Sequence, residues 1–169
     1  NTTGKAAVIH PTGTGKSFIA LKLCEENPEK RVCWLSPSEY IFRTQMENWK
    51  SAFNIPEFIA KEKKERKITD QQQNISFYTY AKLMRMEEAA LSEIRPDYII
   101  LDEFHRCGAA QWGGGVERLC RMYQKAKVLG LSATSIRYLD NQRDMAWELF
   151  EGNIASELSL GAAVARGIL

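Results

Sequence analysis

The sequence predicts an α/β fold: a mostly parallel central sheet covered by helices on both faces. Three observations carry that expectation. Short runs rich in Val, Ile and Leu, such as YIIL at 98–101 and KVLGL at 127–131, alternate with segments whose apolar residues recur at helical spacing. These runs are apolar at nearly every position, as a strand buried on both faces requires. The stretch VIHPTGTGKSFIALKL at 8–23 runs from such a strand, through a glycine-threonine turn, into a helical pattern.

The elements follow in chain order. Lys5–His10 reads as a buried strand and Lys16–Glu26 as a helix with Phe18, Leu21 and Leu23 apolar. Arg31–Leu35 is the next strand. Glu39–Ala52 is a helix whose Ile41, Phe42, Met46 and Trp49 share a face. Ile75–Tyr78 is a strand, followed by a helix near Tyr80–Ala90. Tyr98–Leu101 and Lys127–Leu131 are strands, with a helix near Gly115–Tyr123 between them, and a last helix is expected near Asp140–Phe150. Alternation of this kind builds βαβ units with right-handed crossovers. The charged and then polar run at 61–74 has no apolar periodicity and reads as an exposed loop or a solvated helix end. Gln111, Trp112 and Gly113–Gly115 read as a loop. There is no internal repeat.

Composition sets the bounds. The 169 residues suffice for one domain with a real core. A hydrophobic share of 44% and a charged share of 26% are ordinary for a soluble protein. A net charge of +2 gives no strong global field, so a nucleic-acid partner would have to be held by a local basic patch. Cys24, Cys33, Cys107 and Cys120 form no C-x-x-C pair, and His10 and His105 are the only histidines. That pattern is neither a zinc framework nor a disulfide scaffold. It fits reduced thiols and a cytoplasmic setting, with the cysteines as small apolar residues. No apolar run approaches membrane-spanning length, and no signal peptide is visible. The chain opens almost on the glycine turn and closes on LSLGAAVARGIL without a stop signal. It is expected to be a piece of a longer protein.

Three segments carry chemistry. A strand that ends in a glycine turn and opens a helix cradles phosphate, because backbone N–H groups and the helix N-terminus point at the anion. Thr12, Gly13, Thr14 and Gly15 would form the cradle, Lys16 would reach the β- and γ-phosphates, and Ser17 would place its hydroxyl on Mg²⁺. The strict G-x-x-x-x-G-K-[ST] pattern fails at its first position, which is His10, and a plain helix start after a flexible loop is the alternative. The second segment is YIILDEFHR at 98–106. A carboxylate at the C-terminal end of a parallel strand lies where open α/β sheets bind ligands. Asp102 could hold Mg²⁺ and Glu103 could orient an attacking water, against the plain reading of an acidic turn. The third is GLSATS at 130–135, where Ser132 and Thr134 could bond to the acidic segment or simply form a turn.

Taken together, PTGTGKS, DEFH and SAT resemble motifs I, II and III of superfamily 2 helicases and translocases, in their order and approximate spacing. The run SPSEYIFRTQ at 36–45 sits where motif Ia falls, and YTYAKL at 78–83 is similar to motif Ib. The whole chain looks most like bacterial DEAD/DEAH-box-like helicases of the DExH type, related to the motor subunits of restriction enzymes. The resemblance implies a P-loop NTPase, a RecA-like three-layer sandwich, spanning residues 1–151. Residues 152–169 would begin the connection to a second RecA-like domain. It implies ATP and Mg²⁺ as cofactors, with Lys16 and Ser17 on phosphate and metal, Asp102 on Mg²⁺, and Glu103 as catalytic base. His105 would couple the ATP site to the polymer site, and Ser132, Ala133 and Thr134 would link hydrolysis to domain movement. Ser36, Pro37, Arg43 and Thr79 would contact a nucleic-acid backbone, DNA rather than RNA. The second domain supplies an arginine finger in this family, worth about 10³–10⁵ in rate, so the chain alone should turn ATP over poorly.

Other residues have plainer readings. His10 should pack beside the loop, Trp34 and Trp147 should be core, and Trp112 is a loop anchor or a base-stacking platform. Arg106 suits phosphate or carboxylate equally. Competing functions are a DNA-translocating motor of a restriction or defence system, a nucleotide-dependent switch or scaffold, and a small-molecule kinase.

Overall fold

The computed structural model describes residues 4–11, 15–52, 74–104, 113–133, 136–137, 143–144, 150, 154–157 and 165–166. In chain order it contains β1 (Lys5–Ile9), α1 (Lys16–Glu26), β2 (Val32–Ser36), α2 (Glu39–Ala52), β3 (Ile75–Thr79), α3 (Tyr80–Arg85), α4 (Glu88–Ile94), β4 (Tyr98–Asp102), α5 (Gly113–Met122), β5 (Lys127–Ser132), β6 (Ile136–Arg137), β7 (Arg143–Asp144) and β8 (Ile154–Glu157).

Six strands form one sheet in the order β3-β2-β4-β5-β1-β8, and every pairing in it is parallel. β6 and β7 form a separate antiparallel ladder. The α/β expectation therefore holds. Period-2 geometry divides each apolar run between two cores. Ala7, Ile9, Cys33, Leu35, Ile99, Leu101 and Val128 join Tyr80 and Leu83 of α3, Leu91 and Ile94 of α4, and Val116 and Leu119 of α5. Val8, Val32, Trp34, Ile100 and Leu131 join Ala20, Leu21 and Cys24 of α1 and Phe42 and Met46 of α2. Trp34 is fully buried, as expected, against Phe42 at 5.5 Å between ring centroids. Burial pushes the Cys24 thiol up to about 12 and raises Cys33 as well, so both behave as small apolar residues.

Several expectations are corrected. The helix near Tyr80–Ala90 is two helices, with Met86 and Glu87 in extended backbone between them. The break has a tertiary cause. The Arg118 guanidinium on α5 donates to the carbonyls of Leu83, Met84 and Met86, capturing the end of α3 from outside. Gly113–Gly115 open α5 rather than a loop. A Cβ on Gly115 would meet the Met84 backbone nitrogen at 3.1 Å, so glycine is what lets α5 lie against α3. Within the expected helix at Asp140–Phe150, Arg143 and Asp144 are strand paired with Ile136 and Arg137, while Phe150 is helical and buried. Of the run at 61–74 all but Asn74 lies outside the described residues, as do Gln111, Trp112 and Trp147. Separately, β8 at Ile154–Glu157 pairs with β1.

Candidate active site

The strands end one residue later than hydrophobicity alone predicts, and the added residues are polar: Ser36 on β2, Thr79 on β3, Asp102 on β4 and Ser132 on β5. Ladder pairing carries them to one edge of the sheet. Ser36 pairs with Thr79, Asp102 with Leu131, and Ile9 with Ser132. The C-terminal edge of a parallel sheet is where ligands bind in open α/β folds.

β1 and α1 place the first group. Gly15 caps α1 at φ 78, a left-handed conformation that favours glycine, and a Cβ there would crowd the Phe18 ring at 3.3 Å. Among the described residues no side chain caps this helix; the Phe18 N–H donates to the Gly15 carbonyl at 3.0 Å. Lys16 follows and is buried, 7% exposed, although it carries a charge. Its Nζ lies 3.9 Å from Glu103 Oε1. Ser17, half-buried, is the next residue of the same turn. His10 donates its backbone N–H to the Ser132 carbonyl at 3.0 Å, which ties the start of the loop to β5. Partial burial, and then the neighbouring Lys16, lower its pKa, so the ring is neutral near pH 7.

β4 places the second group. Asp102 is completely buried. Its Oδ2 accepts from Gln45 Nε2 of α2 at 3.1 Å, and its backbone carbonyl accepts from the Tyr80 hydroxyl at 2.6 Å. Oδ1 is buried with no hydrogen-bond partner among the described residues. Burial pushes the carboxyl up to about 6, and the Glu103 charge adds to the rise; the Gln45 hydrogen bond and the Lys16 charge oppose it. Glu103 follows at φ 54, a conformation that costs a non-glycine residue about 1–3 kcal/mol and persists only where its surroundings impose it. Phe104 follows Glu103. Its ring is fully buried against Phe150, with centroids 5.0 Å apart. Both rings occupy the space over Gly130, where an added Cβ would lie 2.7 Å from Phe104.

Lys16, Ser17, Asp102, Glu103 and Ser132 therefore gather at one edge of the sheet. Ala133, exposed, follows Ser132 at the end of β5. Thr12, Gly13, Thr14, His105, Arg106 and Thr134 lie outside the described residues. The segment expected to meet a polymer has structural duties of its own. Ser36 is buried, and its hydroxyl donates to the Ser38 carbonyl at 3.3 Å. Ser38 Oγ accepts from the Ile41 N–H near the start of α2. The Thr79 hydroxyl caps α3 by accepting from the Lys82 N–H at 3.1 Å. Pro37 is half-buried, and Arg43 is exposed and paired with Glu39 one turn back at 2.6 Å.

Sequence reasoning missed Gln45 and Tyr80. A signal for Gln45 was present: it falls between Phe42 and Met46 on the apolar face of α2, where a lone amide needs a polar partner. Tyr80 carried no such signal.

Fold, motif order and site geometry together define a RecA-like domain of the superfamily 2 helicase class. Residues 1–137 match the model of the family described as Type III restriction enzyme, res subunit, and the chain belongs to that family. Among solved structures it is similar to the Hef helicase domain of Pyrococcus furiosus, with 19% identity, a TM-score of 0.62, and cover of 90% of this chain and 35% of that one. It is also similar to the Mycobacterium smegmatis helicase Lhr bound to ssDNA and AMP-PNP, with 20% identity, a TM-score of 0.53, and cover of 91% and 24%. A third is the DUF1998 helicase MrfA bound to DNA and AMPPNP, with 16% identity, a TM-score of 0.54, and cover of 93% and 25%. The chain thus spans about a third or less of each of these chains. No curated protein matches it. No helix among the described residues is long and apolar enough to cross a membrane.

Proposed function

We propose that this chain is the ATP-binding domain of a nucleic-acid-dependent ATPase that moves along DNA or unwinds it. The observation that carries the reading is the convergence of buried Lys16 with Asp102 and Glu103 at the C-terminal edge of the sheet. A buried ammonium facing two carboxylates is a poor structural device, because desolvation offsets much of the attraction. It is a good receptor for a polyphosphate. Lys16 would turn from Glu103 to the β- and γ-phosphates, and the N–H groups of Lys16 and Ser17 at the start of α1 would hold phosphate oxygens. Glu103 would then orient the attacking water. Ser132 and Ala133, one strand over, would sense the occupied site.

The residues present fit Mg²⁺. Asp102 Oδ1 is a buried anionic oxygen with no hydrogen-bond partner among the described residues, and Ser17 offers a hydroxyl next to Lys16. Hard cations take oxygen ligands of this kind. Bound there, the ion would neutralise charge developing on the phosphates.

The AMP-PNP and DNA in the Lhr and MrfA structures support ATP as substrate and DNA as track. A second RecA-like domain of the parent protein would complete the site with an arginine. The family also supports a second reading, a DNA-translocating motor of a restriction system that does not separate strands. The test is ATP turnover by the full parent protein with no polymer, single-stranded DNA, duplex DNA or RNA, using Lys16→Ala as control. Stimulation by DNA that the variant lacks is the expected result. Equal turnover in all four conditions would overturn the motor reading, and stimulation by duplex alone would select the translocase.

A further inference from the structure

Gln45 of α2 donates a hydrogen bond to Asp102, and it reaches across 57 positions of sequence to do so. The pair is unusual in what it leaves open. Gln45 Oε1 and Asp102 Oδ1 are both buried without a partner among the described residues. Buried amides and carboxylates are ordinarily satisfied, and leaving an acceptor bare opposes folding. A leucine at position 45 would continue the apolar face of Phe42 and Met46 without that penalty. The amide is therefore poorly explained as packing.

We propose that Gln45 is a positioning residue for the metal-binding carboxylate. Its amide holds Oδ2, which fixes the plane of the carboxylate and leaves Oδ1 as the oxygen presented to the cation. The Tyr80 hydroxyl holds the backbone carbonyl of the same residue at 2.6 Å, so Asp102 is clamped at both ends. α2 is a suitable mount for such a clamp. Ser38 secures its first turn, and Phe42 and Met46, on either side of Gln45, are buried against the sheet. Partners of this kind orient metal ligands, and losing one typically weakens metal affinity by about 10–100-fold. This role rests on the reading of Asp102 as the Mg²⁺ ligand.

The experiment measures affinity for a fluorescent non-hydrolysable ATP analogue, in saturating Mg²⁺ and in EDTA, for the wild-type chain and for Gln45→Leu and Gln45→Met. Affinity gained on adding Mg²⁺ should fall by about tenfold in both variants. Affinity in EDTA should stay within about twofold, because Lys16 and the phosphate cradle are untouched. A merely structural glutamine would weaken both conditions equally, and that result would overturn the proposal. An unchanged Mg²⁺ gain in folded variants would also overturn it, while leaving the site itself in place. Wild-type binding indifferent to Mg²⁺ would instead overturn the site reading, and the positioning role with it.

Discussion

The two edges of the sheet are built from the same strands and differ in how their polar groups end. At the N-terminal edge nearly every group has a local partner. Asp97 accepts the Arg31 N–H on its carboxylate at 2.9 Å and donates its own N–H to the Arg31 carbonyl at 2.7 Å. Its carbonyl accepts from Lys127, and the Tyr123 hydroxyl bridges the Arg95 N–H and the Leu91 carbonyl. A groove of about 740 Å³ opens here, and its Lys30, Arg121, Lys125 and Lys127 are at least partly solvated. At the C-terminal edge a lysine and an aspartate are buried, and a carboxylate oxygen has no partner among the described residues. Each edge also holds a left-handed residue outside glycine. Arg95, φ 43, ends α4, where such a residue terminates many helices. Glu103, φ 54, ends a strand and has no helix to terminate. A solvated groove thus marks one edge and unresolved polarity the other. Unresolved polarity beside buried charge is the better guide, because together they oppose folding; the Trp34 indole N–H, also buried without a partner among the described residues, lies in the apolar core with no charge beside it.

The largest effect expected from this contrast is on turnover. Lys16→Ala should reduce polymer-stimulated ATP hydrolysis by the parent protein by about 10²–10³-fold, the loss typical of removing one preorganised electrostatic contact. Lys127→Ala, at the opposite edge, should leave it within about twofold, since exposed charges contribute little. Comparable losses in both steady-state assays would break the contrast between the edges.

Stability should separate the edges in sign. Asp102 holds its proton up to about 6 in the folded chain, against 3.8 in the unfolded one. The folded state therefore binds the proton more tightly. Stability from this group is greatest at acid pH and declines as pH rises from about 4 to about 6, by about 3 kcal/mol in all. Asp102→Asn should remove that decline and gain about 1 kcal/mol at pH 7, since the amide introduces a buried donor that offsets part of the benefit. Asp97→Ala should instead lose about 1 kcal/mol with its hydrogen bond. Urea unfolding in EDTA between pH 4 and pH 8 measures both. A pH-dependence unchanged in Asp102→Asn would show that the buried carboxylate is not strained.

Gly130 lies between these cases. It has no chemistry, yet the Phe104 and Phe150 rings fill the space its side chain would need. Gly130→Ala should cost about 1–3 kcal/mol by overpacking. Because Phe104 directly follows Glu103, turnover should fall even at temperatures where the variant stays folded. Full activity in the folded variant would show that the Phe104 ring does not hold that turn.

How much of this was legible depends on whether the cause was local. The strands and α1 were readable because both sheet faces are covered, so each run is apolar throughout. Their last residues were not, because Ser36, Thr79, Asp102 and Ser132 are held by ladder pairing rather than by hydrophobicity. Lys16, Asp102 and Glu103 were legible from motif spacing, and the structure brings them together. The break after Arg85 was invisible because the arginine that makes it lies more than 30 residues away, at Arg118. Gln45 was half-legible: a polar residue on an apolar face signals a buried partner but not which one.

The smallest effects concern the residues expected to meet a polymer, and there the structure sharpens how they must be tested. Thr79 already caps α3 through Lys82, so Thr79→Ala should lose about 1 kcal/mol of stability whatever its role in binding. Any loss of DNA affinity in that variant is ambiguous, and Thr79→Asn, which keeps a capping oxygen, is the informative change. Arg43 is the opposite case. Its pair with Glu39 is exposed and spans one helical turn, so Arg43→Ala should change stability by no more than about 0.5 kcal/mol. A fall in DNA affinity there would be direct. If Arg43 grips phosphate, the variant should also lower the salt dependence of binding by about one counterion, uniformly across sequences. Affinity lost without a change in salt slope would place Arg43 away from the backbone, leaving its surface pair with Glu39 as its whole role.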